Sequence, residues 1–164
     1  MLWLTEAAVR HKLLMNLLPL NRKEKINMAN IRVDLESVQV TEGQGFSEGD
    51  FELRIQVKEG NNILVWPSLN SSAKVDKNGA PYTVNGGEVA TYPITTGTLS
   101  KKFTIDLTEV DKGTLGQDDY GQSTITFDLT PTMAPSTKSV TISLKRPNMS
   151  YQGKVQVTMT AQRI

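Results

Sequence analysis

From Ile31 onward, apolar and polar residues alternate in short runs, the two-residue period of strands with one buried face. Ile31, Val33 and Leu35 keep one phase, whereas Val38 and Val40 keep the other. A slip of this kind predicts a bulge that bends the first strand. Further runs fall at Phe51 to Val57, Ile63 to Trp66, Tyr82 to Val84, Glu88 to Tyr92, Phe103 to Leu107, Ile125 to Leu129, Val140 to Leu144 and Val155 to Met159. Turn formers such as Asn85-Gly86-Gly87 separate them. About eight short strands and no convincing helix after Met28 predict an all-β fold, an antiparallel β-sandwich with a barrel as second choice. Parallel pairing needs long crossovers, usually helical, and no connection has helical periodicity. The Ser/Asn/Gly-rich stretch from Ser68 to Pro81 is expected to be a mobile loop.

Residues 1–27 do not share this pattern. They are leucine-rich and carry Arg10, Lys12, Arg22, Lys23 and Lys25 against Glu6 and Glu24. One reading is translation that truly begins at Met28, with the codons of Lys23-Glu24 serving as a ribosome-binding sequence. The other is a short amphipathic helix capped by Thr5, presenting Val9, Leu13 and Leu17 on one face and stopped by Pro19. Arg10-His11-Lys12 interrupts the apolar run that a secretory signal requires, so a cytoplasmic location is the default. The expected organisation is therefore a leader at 1–27 and one β-sandwich domain at 28–164.

Composition narrows the function classes. With 164 residues, 38% hydrophobic and 21% charged, the chain is long enough to bury one core and shows no transmembrane stretch. A formal charge of +1 and 6% aromatics give neither the basic field nor the stacking surface of a nucleic-acid binder. The chain has no cysteine, which excludes disulfides, thiolate metal sites and cysteine nucleophiles. Its one histidine, His11, lies in the leader, so histidine-based triads, metal sites and general bases lack their central group. Gly43-x-Gly45 and Gly113-x-x-Gly116 lack the strand-to-helix context and the lysine of phosphate loops. A non-enzymatic protein is expected.

Candidate chemistry concentrates in two acidic, Gly-rich connections. One runs from Glu42 to Asp50 ahead of the strand at Phe51; the other follows the strand at Phe103 and holds Glu109, Asp111, Asp118 and Asp119. Carboxylates from two loops at one rim of a rigid sandwich suit calcium, which takes six to eight oxygens. Acid-rich Gly loops also arise as plain solvated turns. Glu48 and Glu52 are read as lying outside the ligand set, Glu52 because it alternates outward beside Phe51 and Leu53.

The order Val38-Gln-Val-Thr-Glu42, Gly49-Asp50-Phe-Glu-Leu-Arg-Ile55, Glu109-Val-Asp111 and Asp118-Asp119-Tyr-Gly121 resembles that of the C2 domain. The C2 domain is an eight-stranded calcium-binding β-sandwich. The resemblance implies Glu42 and Asp50 as ligands from one loop and Glu109, Asp111, Asp118 and Asp119 from another, with calcium as cofactor and a protein or lipid surface as partner. Departures from the family pattern are Glu in place of Asp at 42 and 109, one residue fewer between Asp119 and Gly121, and no Lys-rich strand. These weaken the lipid expectation more than the calcium expectation.

Two further readings stand beside it. One is a metal-independent structural subunit of a phage-like or secretion particle in a bacterial assembly, acting through strand edges. The other is a carbohydrate-binding sandwich whose platform would be Trp66, Tyr82 and Tyr92. Lys138, Lys145 and Arg146 near one hairpin could touch anionic lipid or serve solubility alone.

Overall fold

The computed structural model describes residues 28–43, 50–110, 118–146 and 151–164. The expected leader at 1–27 and the acidic segments 44–49 and 111–117 lie outside these residues. Ten strands form, and all strand pairing is antiparallel: β1 (Ala29–Gly43), β2 (Phe51–Glu59), β3 (Asn62–Trp66), β4 (Ala73–Val75), β5 (Tyr82–Thr83), β6 (Glu88–Ile94), β7 (Leu99–Glu109), β8 (Asp119–Leu129), β9 (Ser136–Lys145) and β10 (Tyr151–Arg163). Among the described residues there is no helix, so none could cross a membrane.

The hydrogen-bonded path runs β3-β2-β7-β8-β9-β10-β1-β5, with β4 also on β2 and β6 also on β1. Its two halves are joined through a single pair, Tyr120 opposite Lys145. The sheet curls there, and the halves face each other across one core that includes Leu53, Ile55, Val57, Phe103, Ile105 and Leu107 from one side and Ile31, Val33, Val155, Val157 and Met159 from the other. Phe103 and Phe127 meet edge to face with ring centroids 6.1 Å apart. The ring of Phe51 reaches across to the backbone of Gly43 and Gly153, which are register partners on β1 and β10. A Cβ at Gly43 or Gly153 would stand 2.9 and 3.1 Å from that ring, so this pair of glycines is the seat of a cross-layer aromatic.

The phase slip in the first strand is a bulge. Register against β10 jumps between Leu35 and Ser37, leaving Glu36 as the extra residue. At the same point the other edge of β1 changes partner, from β6 at Ala29 to Asp34 to β5 at Ser37 and Val38. The changeover is tied by Leu35 N donating to Gly87 O at 2.7 Å and Val84 N donating to Glu36 O at 2.8 Å. A Cβ on Gly87 would fall 2.0 Å from the Leu35 carbonyl oxygen, so only glycine fits.

The stretch from Ser68 to Pro81 is more ordered than its composition suggests. Val75 is buried in the core, β4 pairs with β2 beyond the end of β3, and Lys77 bridges to Val40. Turn-forming residues there support short pairings because the free edge of β2 between Phe51 and Leu53 supplies the hydrogen-bonding partner.

On the open side of the curl, Tyr92 of β6 donates its hydroxyl to Glu59 of β2 at 2.6 Å, and Lys101 of β7 meets the same carboxylate at 2.8 Å. Lys101 Nζ also lies 4.9 Å from the Tyr92 ring centre. The hydrogen bonds from Lys101 and Tyr92 hold the Glu59 carboxyl below its ordinary value, against the effect of burial. Burial, and then the Glu59 carboxylate beside it, push the Tyr92 phenol up.

Replacing Gly87 with alanine should lower unfolding free energy by about 1–3 kcal/mol, through the forced shift at the Leu35 carbonyl; urea denaturation measures it. Glu59 and Asp106 both have lowered pKa values in the fold, so their contributions are complete above their ordinary values of 4.5 and 3.8. Stability should therefore be flat in these terms at neutral pH and fall as pH drops through the folded pKa values below that range. Glu59→Gln should flatten the acid limb of a melting-temperature profile.

Candidate functional site

The strand register brings three connections to one rim. β1 ends at Gly43 and β2 begins at Phe51; β7 ends at Glu109 opposite Asp119, where β8 begins; β9 ends at Lys145 and β10 begins at Tyr151. The segments 44–49, 111–117 and 147–150 thus all leave from this rim.

Glu42 is exposed at the end of β1 and accepts Lys154 Nζ at 2.7 Å. Asp50, just before β2, lies 3.7 Å from Lys74 Nζ. Glu109 is half-buried and pairs in register with Leu53 on one side and Asp119 on the other. Asp118 accepts the Tyr120 hydroxyl at 3.4 Å. Partial burial, and then the Asp118 charge, raise the Tyr120 phenol above its ordinary value. Asp111 lies outside the described residues. Among the described residues no group of three potential metal ligands is assembled.

Asp119 differs from its neighbours. It is only 4% exposed and receives Arg146 Nε at 3.0 Å, a link between the first residue of β8 and the residue just after β9. Register places Glu109 directly opposite Asp119, and like charges in that relation repel. Arg146 offsets the repulsion. Nothing local in the sequence signals this pair, whose members are 27 positions apart.

The side chain of Glu52 accepts the Ser72 hydroxyl at 3.0 Å, while its carbonyl accepts Val110 N at 2.8 Å. Of the three cations grouped by sequence, Arg146 is engaged with Asp119, and Lys138 donates to the Thr126 carbonyl at 2.6 Å while lying 5.4 Å from the Phe127 ring centre. Lys138 spans the opening between β8 and β9, whereas Lys145 is exposed. The aromatic platform does not form. Trp66 and Tyr92 are each 8% exposed, and only Tyr82 of the three is accessible. Trp66 packs against Tyr82 with centroids 5.4 Å apart, so its ring completes the core at the end of β3.

Sequence reasoning passed over the outer face of β2, β7 and β8. Here Asp106 receives Gln122 at 2.6 Å and Lys58 at 2.8 Å. Burial opposes its ionisation, but these two hydrogen bonds outweigh it and keep the carboxyl below its ordinary value. The available signal was the polar phase of the strand at Phe103, whose alternate residues Thr104, Asp106 and Thr108 turn outward.

The chain is similar to a C2 domain. The first C2 domain of plant extended synaptotagmin 1 shares 11% identity with it, covering 83% of this chain and 95% of that one, with a TM-score of 0.34. No family profile and no curated protein matches the chain.

Removing the Arg146 side chain should leave a nearly buried carboxylate opposite Glu109. Arg146→Ala is expected to destabilise by about 3 kcal/mol, and adding Asp119→Ala should restore part of the loss. A double-mutant cycle by denaturant unfolding measures the coupling.

Proposed function

We propose that the chain is a non-enzymatic C2-like β-sandwich module that works by binding at its acidic rim, with calcium as the ion. The observation that carries this reading is the convergence of Glu42, Asp50, Glu109 and Asp118, from four strand ends, on the rim from which 44–49 and 111–117 leave. Asp50, Glu109, Asp111 and Asp118 would supply carboxylate oxygens, and Glu42 would join them by exchanging Lys154 for the ion. Asp119 would keep Arg146 and fix the start of β8. Calcium would neutralise the repulsion among these acids and order the rim for a protein or lipid partner.

A second reading is a metal-independent structural subunit of a phage-like or secretion particle. The pairs Glu42–Lys154 and Asp119–Arg146 favour it, since two of the acids already have cationic partners.

Thermal melting of the full chain with calcium, with magnesium and with EGTA separates the two. Calcium at a hundredfold excess over Kd should raise the melting temperature by roughly 5–10 °C, magnesium should not, and Asp111→Asn with Asp118→Asn should abolish the rise. Identical melts in all three conditions would exclude the calcium reading and leave the metal-independent one.

A further inference from the structure

The outer face of β3, β2, β7 and β8 carries polar residues in rows set by the register. Arg54, Thr108 and Tyr120 form one row, and Val65, Gln56, Asp106 and Gln122 the next. Two adjoining depressions lie along these rows, with volumes of about 280 and 540 Å3. They share Gln56, Asp106 and Thr108, so together they form one shallow trough running across the strands. Four strands at about 4.8 Å spacing make it roughly 14 Å long. Val65 and Leu69 bound one end, and Tyr120, Gly121 and Gln122 the other.

The trough has the groups needed for a polyhydroxylated chain that bears negative charge. Tyr120 is 52% exposed and offers an aromatic surface at one end. Gln56, Thr108 and Gln122 supply amides and a hydroxyl, and the Asp106 carboxylate is fixed from two sides by Lys58 and Gln122. Arg54 donates one Nη1 bond to the Leu69 carbonyl at 3.0 Å and pairs with no carboxylate among the described residues. Lys102 extends the positive charge along β7. Arg54, Lys58 and Lys102 exceed Asp106 in charge, which makes an acidic ligand complementary. The free part of a planar guanidinium suits a carboxylate in bidentate fashion.

We infer that this trough, distinct from the acidic rim, is a binding site for an acidic oligosaccharide, with Arg54 meeting a sugar carboxylate and Tyr120 packing against a ring. Hydroxyl and amide lining with apolar groups only at the margins fits a sugar chain better than the apolar side chains of a peptide. A recess across the sheet also suits a narrow chain rather than a flat bilayer. The site needs no ion.

The test is titration of oligogalacturonate into the full chain at low salt in EGTA, followed by calorimetry and by amide chemical shifts. Saturable binding is expected, with shifts centred on Arg54, Asp106 and Tyr120. Arg54→Ala and Tyr120→Ala should each weaken it about tenfold, Arg54→Lys less, and Tyr120→Phe little. A neutral cello-oligosaccharide should bind at least about tenfold more weakly, for want of the carboxylate. Unchanged melting temperatures in the variants distinguish lost contacts from lost fold, and a variant that melts early is judged by the wild-type shift map instead. Absence of saturable binding, shifts elsewhere on the chain, or affinity indifferent to Arg54 and Tyr120 would overturn the site. Binding to phosphatidylserine vesicles without binding to the sugar would also overturn it, making the face a membrane surface.

Discussion

The fold depends on one corner, where a continuous sheet must turn over to close on its own core. Only Tyr120 and Lys145 remain paired between the two halves, so the backbone ladder contributes little across this corner. The work falls to side chains. Arg146 reaches back to Asp119, and farther along the same opening Lys138 caps the Thr126 carbonyl. Gly121 completes the corner, since a Cβ there would stand 2.5 Å from Ile142 and 2.7 Å from the Ser143 carbonyl oxygen. Strands β8 and β9 approach closely because one residue has no side chain, and they stay in place because an almost buried charge has a partner.

The opposite opening is closed differently. Tyr92, Glu59 and Lys101 come from three strands in the two halves and form a charge-assisted cluster around one carboxylate. Such bonds are directional, whereas the apolar core alone would tolerate sliding of one layer over the other. The ring of Phe51 seated on Gly43 and Gly153 adds a steric register mark near the rim. Together these contacts fix the rim from which the acidic segments depart, while the outer faces stay open to solvent.

That division gives the molecule two surfaces of different chemistry. At the rim, acids meet cations: Glu42 with Lys154 and Asp119 with Arg146. On the outer face of β2, β7 and β8, cations predominate around a single fixed carboxylate, Asp106. A ligand attracted by one surface would be repelled by much of the other, so the two could act independently on the same module.

Hydrophobic alternation is enough to specify the strand class, the antiparallel sandwich and even the bulge in β1, because side chains of an extended chain must alternate faces and a phase slip needs an extra residue at Glu36. Alternation also places Arg54, Asp106 and Tyr120 on a polar phase, but it says nothing about which strands lie side by side. The two-residue and three-residue strands β5 and β4 form on edges that long strands supply, and Trp66 is buried because Tyr82 and the core close over it. Arg146 became the partner of Asp119 rather than a surface cation for the same reason. Pattern along the chain fixes which way a side chain faces, whereas its charge partner and its exposure depend on contacts between distant segments, which exist only once the chain has folded.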